Sequence, residues 1–221
     1  MEILRNNSDS IIDTDSLHKI TALRPAVHNE NRVNIYVDDE FAFSLDISQV
    51  IDFKIKCGQK VTDEDLARFR KASNFGKLYQ RTLEWVLTRP RSIREARDYL
   101  KKKKYQKPEY EISDEDIKAV ISRLTEKGYL DDVKFTTYYI ENRFQKKGIS
   151  IKRLKLELQN KGISSDLVEQ ALKEVGRSDE DEIQKIIAKK RARYDDDKLI
   201  SYLVRQGFDF ELARSSVREM D

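Results

Sequence analysis

The chain has 221 residues, of which 38% are charged, with a formal net charge of +3, 7 glycines, 3 prolines and a single cysteine. That length suits one large domain or two small ones, and so polar a composition disfavours one thick core. Cys57 has no disulfide partner, no stretch approaches the roughly eighteen apolar residues of a membrane span, and the first residues lack the basic-then-apolar order of a secretory signal, so a cytoplasmic protein is expected.

In chain order, residues 1–16 are polar and aperiodic and predict a loose tail. From His18 to Leu45 the apolar period is two. Val33, Ile35 and Val37 share one strand face, and Phe41, Phe43 and Leu45 share the next. Asp38-Asp39-Glu40 between them supplies a turn, which predicts a β-hairpin with a third strand around Ile20 and Leu23. A short helix is expected over 47–53, closing near Cys57-Gly58. Thr62 ahead of Asp63-Glu64-Asp65 has the character of a helix start, with a hydroxyl for the unpaired amides and acids near the positive dipole end. A helix or helix pair then runs towards Thr88, with Asn74-Phe75-Gly76 as a candidate break and Pro90 as a stop. Trp85 is expected to anchor the N-terminal domain, residues 17–75, to the helical repeat downstream of it.

A helix is predicted over 92–103, with Ile93, Ala96, Tyr99 and Leu100 as its core stripe. Ser113 caps the next, lined by Ile117, Val120, Ile121 and Leu124, and Lys127-Gly128 ends it. Asp131 or Asp132 caps the next helix, with Phe135, Tyr138, Tyr139 and Phe144 as its aromatic side, and Gln145-Lys146-Lys147-Gly148 ends it. Ser150 caps another, ended by Lys161-Gly162, and Ser164 or Ser165 caps the one after. The pattern then recurs. Leu158 falls on Leu203, Gly162 on Gly207, Ile163 on Phe208, Leu167 on Leu212 and Leu172 on Val217. Upstream, Leu100 matches Leu158 and Tyr105 matches Ile163. After an insertion over 106–112, Ile117 matches Val168 and Ile121 matches Leu172. The fold expected is mainly α: tandem three-helix repeats over residues 76–131, 132–176 and 177–221, forming an elongated curved array behind a small N-terminal β-hairpin domain.

Charge is unevenly spread. Residues 1–75 carry 10 Lys+Arg against 13 Asp+Glu, and residues 76–221 carry 33 against 27. Residues 89–107 hold nine basic side chains and two acidic ones. Within them Arg94, Arg97, Lys101 and Lys104 recur at helical spacing, with Arg89 and Arg91 just before. Lys146, Lys147, Lys152, Arg153 and Lys155 form a second basic group. Lys185, Lys189, Lys190, Arg191 and Arg193 form a third. These groups read either as contacts for phosphates or an acidic partner surface, or as ordinary solvated faces.

Asp131-Asp132 reads as capping rather than a metal or acid/base pair, and Asp195-Asp196-Asp197 is taken as its counterpart in the third repeat. The aromatic set Tyr129, Phe135, Tyr138, Tyr139 and Phe144 reads as core and inter-repeat packing rather than a platform for bases. With His18 and His28 as the histidines and Cys57 elsewhere, no zinc site of known spacing can be built. No Gly-rich phosphate loop and no nucleophile–base order occurs, so no catalytic residue, metal or cofactor is expected.

The runs Leu87-Thr88-Arg89-Pro90-Arg91-Ser92 and Gly128-Tyr129-Leu130-Asp131-Asp132 with Phe135, and Lys147-Gly148-Ile149 ahead of Leu158 and Lys161-Gly162-Ile163, together resemble the RecX family of bacterial recombination regulators. The chain departs from that pattern at Lys103-Lys104, where a Lys-Gly pair is usual, and at Thr136, where alanine is usual. The resemblance implies a monomeric, non-enzymatic protein of DNA repair, recombination and the SOS response. It implies binding to RecA recombinase filaments on DNA, in the filament groove, with the basic residues above approaching DNA or the filament. The alternative is a DNA-binding helical-repeat protein acting alone, since three-helix units have the general topology of a helix-turn-helix.

Overall fold

The computed structural model describes residues 17–27, 29–106 and 112–219. The expected tail, His28 and most of the 106–112 insertion lie outside them. The chain divides into two units, residues 1–80 and 81–221.

The first unit is a sheet with helices. Strands β1 (His18–Ala26), β2 (Asn29–Val37), β3 (Glu40–Asp46) and the two-residue β4 (Lys60–Val61) lie in the order β3-β2-β1-β4, antiparallel throughout. Asp38 and Asp39 take φ of 49° and 67°, the left-handed pair that a tight hairpin turn needs. Ile20, Ile35, Val37, Phe43 and Leu45 are buried with Phe69 and Leu66 of the long helix after the sheet. Phe41, expected on the inner face, is 56% exposed. The register slips between Ile35 and Tyr36, which pairs Ile35 with Phe43 but Tyr36 with Phe41 and turns Phe41 outward.

Helix α1 (Ile47–Asp52) is the expected short helix, and α2 (Asp63–Leu87) begins after Thr62, whose hydroxyl accepts from the Asp65 amide at 3.2 Å. Helix α2 does not break at Asn74-Phe75-Gly76; it is continuous to Leu87. Gly76 serves packing instead. A Cβ there would lie 3.0 Å from Asp46 Oδ2 and 3.3 Å from the Arg32 guanidinium. The missing side chain makes room for a partly buried ion pair, Arg32 to Asp46 at 2.8 Å.

The second unit continues with α3 (Ile93–Gln106), α4 (Asp114–Glu126), α5 (Asp132–Asn142), α6 (Ile151–Asn160), α7 (Ser165–Val175), α8 (Asp179–Lys190), α9 (Asp196–Arg205) and α10 (Phe210–Arg218). The starts of α4 to α10 are capped by Ser113, Asp131, Ser150, Ser164, Ser178, Asp195 and Asp209, each accepting a backbone amide from the first turn. One core gathers Phe135, Ile140, Leu154, Leu158, Ile163, Val168 and Leu172; another gathers Ile183, Ile187, Leu199, Leu203, Phe208, Ala213 and Val217. Leu100, Leu158 and Leu203 are each 0% exposed on α3, α6 and α9, so the aligned leucines occupy like positions. Tyr105 does not match Ile163: it is 81% exposed. Helix α3 runs on to Gln106, past the point where α6 and α9 stop. Ile112, buried just before the Ser113 cap, takes the place that Ile163 holds before Ser164 and Phe208 before Asp209.

Candidate functional site

The site begins with two junctions of one design. Ser92, which precedes α3, donates its hydroxyl to the Lys161 carbonyl at the C-terminus of α6, at 2.8 Å. Ser150, which precedes α6, donates likewise to the Gln206 carbonyl at the C-terminus of α9, at 2.7 Å. Beside each serine the next amide reaches an acid on the following repeat: Ile93 N–H donates to Asp132 at 2.9 Å, and Ile151 N–H to Asp179 at 2.7 Å. The C-terminal end of α9 therefore meets the N-terminal end of α6, and that of α6 meets α3, with opposite dipole ends facing. Glycines permit the approach. A Cβ on Gly162 would come within 2.7 Å of Arg94, and one on Gly207 within 2.9 Å of Ser150 Oγ. Burial raises the pKa values of Asp132 and Asp179, against the pull of the amides they accept from.

Asp131 caps α5 as expected, but its neighbour Asp132 spans repeats. Its counterpart is Asp179, at the first position of α8, and not the Asp195-Asp196-Asp197 run, which opens α9. The second junction has a further lock. Glu182 is 0% exposed and accepts from Arg177, Lys185 and the Ile149 amide at 2.8, 2.6 and 2.9 Å. Burial opposes its charge, but these donors hold its pKa below the usual carboxylate value. Arg177 also donates to the carbonyls of Ile140 and Arg143. Sequence reasoning missed this network. The positional match of Ser92 with Ser150 could have exposed the junctions, but nothing in the sequence marks Arg177 and Glu182 as partners.

The basic residues divide by environment. On α3, Arg94, Arg97 and Lys101 are exposed, with Arg94 4.0 Å from Asp98. Lys104 leaves that set, half-buried and paired with Asp114 at 2.9 Å. Arg89 pairs with Glu95 at 3.2 Å. Arg91 lies 4.0 Å over the Trp85 ring, which stacks on Tyr99 at 4.3 Å, and burial lowers the Arg91 pKa. Arg91 is thus as much a packing residue as a surface charge. Arg191 pairs with Asp196 at 2.5 Å, across the α8–α9 turn.

The second and third basic groups converge. Lys147, Arg153, Lys189 and Lys190 line one cavity of about 190 Å³ between α6 and the α8–α9 pair. Lys189 also donates to the Lys146 carbonyl, while Lys146 itself is exposed. On the other side, Lys152, Arg153, Lys155 and Arg205 line an open groove with the exposed Leu156. The aromatic set is mostly packing: Phe135 is buried, and Tyr139 donates to Glu157 at 2.7 Å, whereas Tyr129 is 44% exposed. Among the described residues no cluster of His, Cys, Asp or Glu could hold a metal, and no helix is long and apolar enough to cross a membrane. What these surfaces offer is recessed and open positive charge on abutting helices, suited to a large anionic partner.

Residues 18–62 match the regulatory protein RecX N-terminal domain, and residues 131–172 match the RecX second three-helix domain. Regulatory protein RecX of Bacillus licheniformis is 28% identical over 210 residues, covering 91% of this chain and 77% of its own. That of Clostridium tetani is 30% identical over 179 residues, covering 80% and 79%. A crystal structure of a regulatory protein RecX shares the fold at a TM-score of 0.67 and 20% identity, over 91% of this chain and 99% of that one. RecX from Lactobacillus salivarius aligns at 0.51 and 22% identity, over 68% and 98%.

Proposed function

The chain belongs to the RecX family of regulatory proteins, and on that premise we propose that it is a non-enzymatic regulator that binds the RecA recombinase filament on DNA and restrains its activity. The observation that carries this reading is the repeated junction, Ser92 to Lys161 and Ser150 to Gln206. It sets α3, α6 and α9 end against end, so their exposed cations, Arg94, Arg97, Lys101, Lys152 and Arg205, belong to one succession of helices. A filament offers the same surface at every subunit. A chain that repeats its own surface can engage several subunits at once, and linked weak contacts raise the effective affinity without one strong contact. The cations face DNA or acidic filament surfaces, and the bound chain obstructs strand exchange, ATP turnover and filament growth. The reading carries with it a cytoplasmic monomer with no cofactor.

The test is ATP hydrolysis by RecA on single-stranded DNA with the purified chain added. A fall in turnover at stoichiometric amounts is expected. Unchanged hydrolysis, together with tight salt-dependent binding to naked duplex, would leave a DNA-binding protein acting alone.

A further inference from the structure

We propose that the cavity between α6 and the α8–α9 pair is a docking site for an acidic peptide segment, with one aspartate or glutamate side chain entering among Lys147, Arg153, Lys189 and Lys190. The lining holds these four cations and no carboxylate. Among the described residues no carboxylate pairs with Lys147, Lys189 or Lys190. Arg153 donates to Gln206 Oε1 at 2.8 Å and lies 3.6 Å from Glu157, which Arg143 already engages at 2.6 Å. Four like charges gathered at a concave surface repel one another, and the repulsion grows where water is partly excluded. An entering anion relieves it.

The size and walls of the cavity decide what brings that anion. At about 190 Å³ the space falls below the range of roughly 300–1,000 Å³ that takes whole small molecules, and it suits one side chain. Ile149 and Ile186 supply an apolar wall for the methylenes of that side chain. A nucleic-acid strand would seek an open aromatic face for its bases. Here Phe144 already carries Arg143 at 3.9 Å and Lys147 at 5.9 Å, and Tyr202 carries Lys190 at 4.3 Å and Tyr194 at 5.9 Å. Occupied rings and a cavity of side-chain size favour a peptide over a strand. The proposal goes beyond the filament reading, and its test contains no recombinase, so either can fail without the other.

The experiment is fluorescence anisotropy at low ionic strength with the full chain. The probes are a labelled peptide rich in Asp and Glu, its Asn/Gln counterpart, and a labelled oligothymidylate. Saturable binding of the acidic peptide alone is expected. Lys147→Glu and Lys189→Glu should each weaken it by about tenfold or more, the scale of losing one partner of a close charge pair. Lys147→Gln, a milder change at an exposed position, should weaken it less. Lys173→Glu, an exposed change on α7, should leave it unchanged, with far-UV circular dichroism confirming that each variant folds. Absent saturation with the acidic peptide, or an equal loss on Lys173→Glu, overturns the proposal. So does tighter binding of the oligothymidylate that Lys147→Glu abolishes, which would assign the cavity to nucleic acid.

Discussion

Arg177 and Glu182 form a nearly fully buried ion pair in the second unit. Their side chains are 7% and 0% exposed and 2.8 Å apart. Removing the guanidinium leaves the buried Glu182 carboxylate to Lys185 and the Ile149 amide and takes a donor from the Ile140 and Arg143 carbonyls, so the loss falls towards the lower end of the about 3–5 kcal/mol of a broken buried pair. Urea unfolding of Arg177→Ala should show that loss, and a change under about 1 kcal/mol would mean that water or other donors replace the guanidinium. His18 holds a weaker bridge: its ring nitrogens lie 2.8 Å from Asp38 and 3.0 Å from Asp63. The bonds to Asp38 and then Asp63 raise its pKa above the ordinary 6.5. Folding therefore favours the protonated ring. The stabilisation is fully present below pH 6.5 and is lost as pH rises through the folded value. An NMR titration should place the His18 midpoint above 6.5, and His18→Gln should flatten the fall in melting temperature across that window. A midpoint below 6.5 contradicts the bridge. Neither network was legible in the sequence: His18 lies far along the chain from Asp38 and Asp63, and Arg177 and Glu182, though five residues apart, sit on either side of the Ser178 cap with no periodicity to pair them. The caps were legible because their partners lie within a turn.

At the scale of elements, helix starts and stops could be read because hydroxyl or acid caps and positive-φ glycines act locally. What could not be read was whether a local irregularity ends an element or serves packing. Gly76 suggested a break in α2 and proved to be the point where the helix clears the Arg32–Asp46 pair. Tyr105 continues a core column in the sequence pattern, but α3 runs through it to Gln106 and leaves it exposed, and Ile112 holds the buried place instead. Gly148 should be the least tolerant of the glycines. Its φ is 77°, and an added Cβ would meet the Glu182 carbonyl at 2.6 Å and Ile186 at 2.7 Å. Gly148→Ala should cost more than about 1 kcal/mol, since both the backbone conformation and the space forbid a side chain. Gly128→Ala, with φ of 72° and nothing within 4 Å, isolates the backbone part. Equal losses in the two variants would refute the close approach. Ser150→Ala removes both an α6 cap and a cross-repeat bond and should cost about 1–2 kcal/mol.

At the scale of the molecule, the repeats were legible because three units of one pattern reinforce each other's signal, and the like burial of Leu100, Leu158 and Leu203 accords with that. The basic groups were legible as charge but not as places. Lys104 and Arg191 turned out to be paired, whereas Lys147, Arg153, Lys189 and Lys190 came together from separate runs. If the exposed cations of α3 meet the partner, joint charge reversal at Arg94, Arg97 and Lys101 should raise the amount of chain needed to inhibit RecA by about tenfold or more, on the scale of several lost charge contacts. Inhibition that survives this reversal would remove α3 from the interface. The central claim, that the repeats engage several recombinase subunits at once, is tested most directly by cryo-electron microscopy of the chain on RecA–single-stranded DNA filaments. The account predicts density for each bound molecule that touches more than one subunit along the filament. Bare filaments with the chain on free DNA would contradict it.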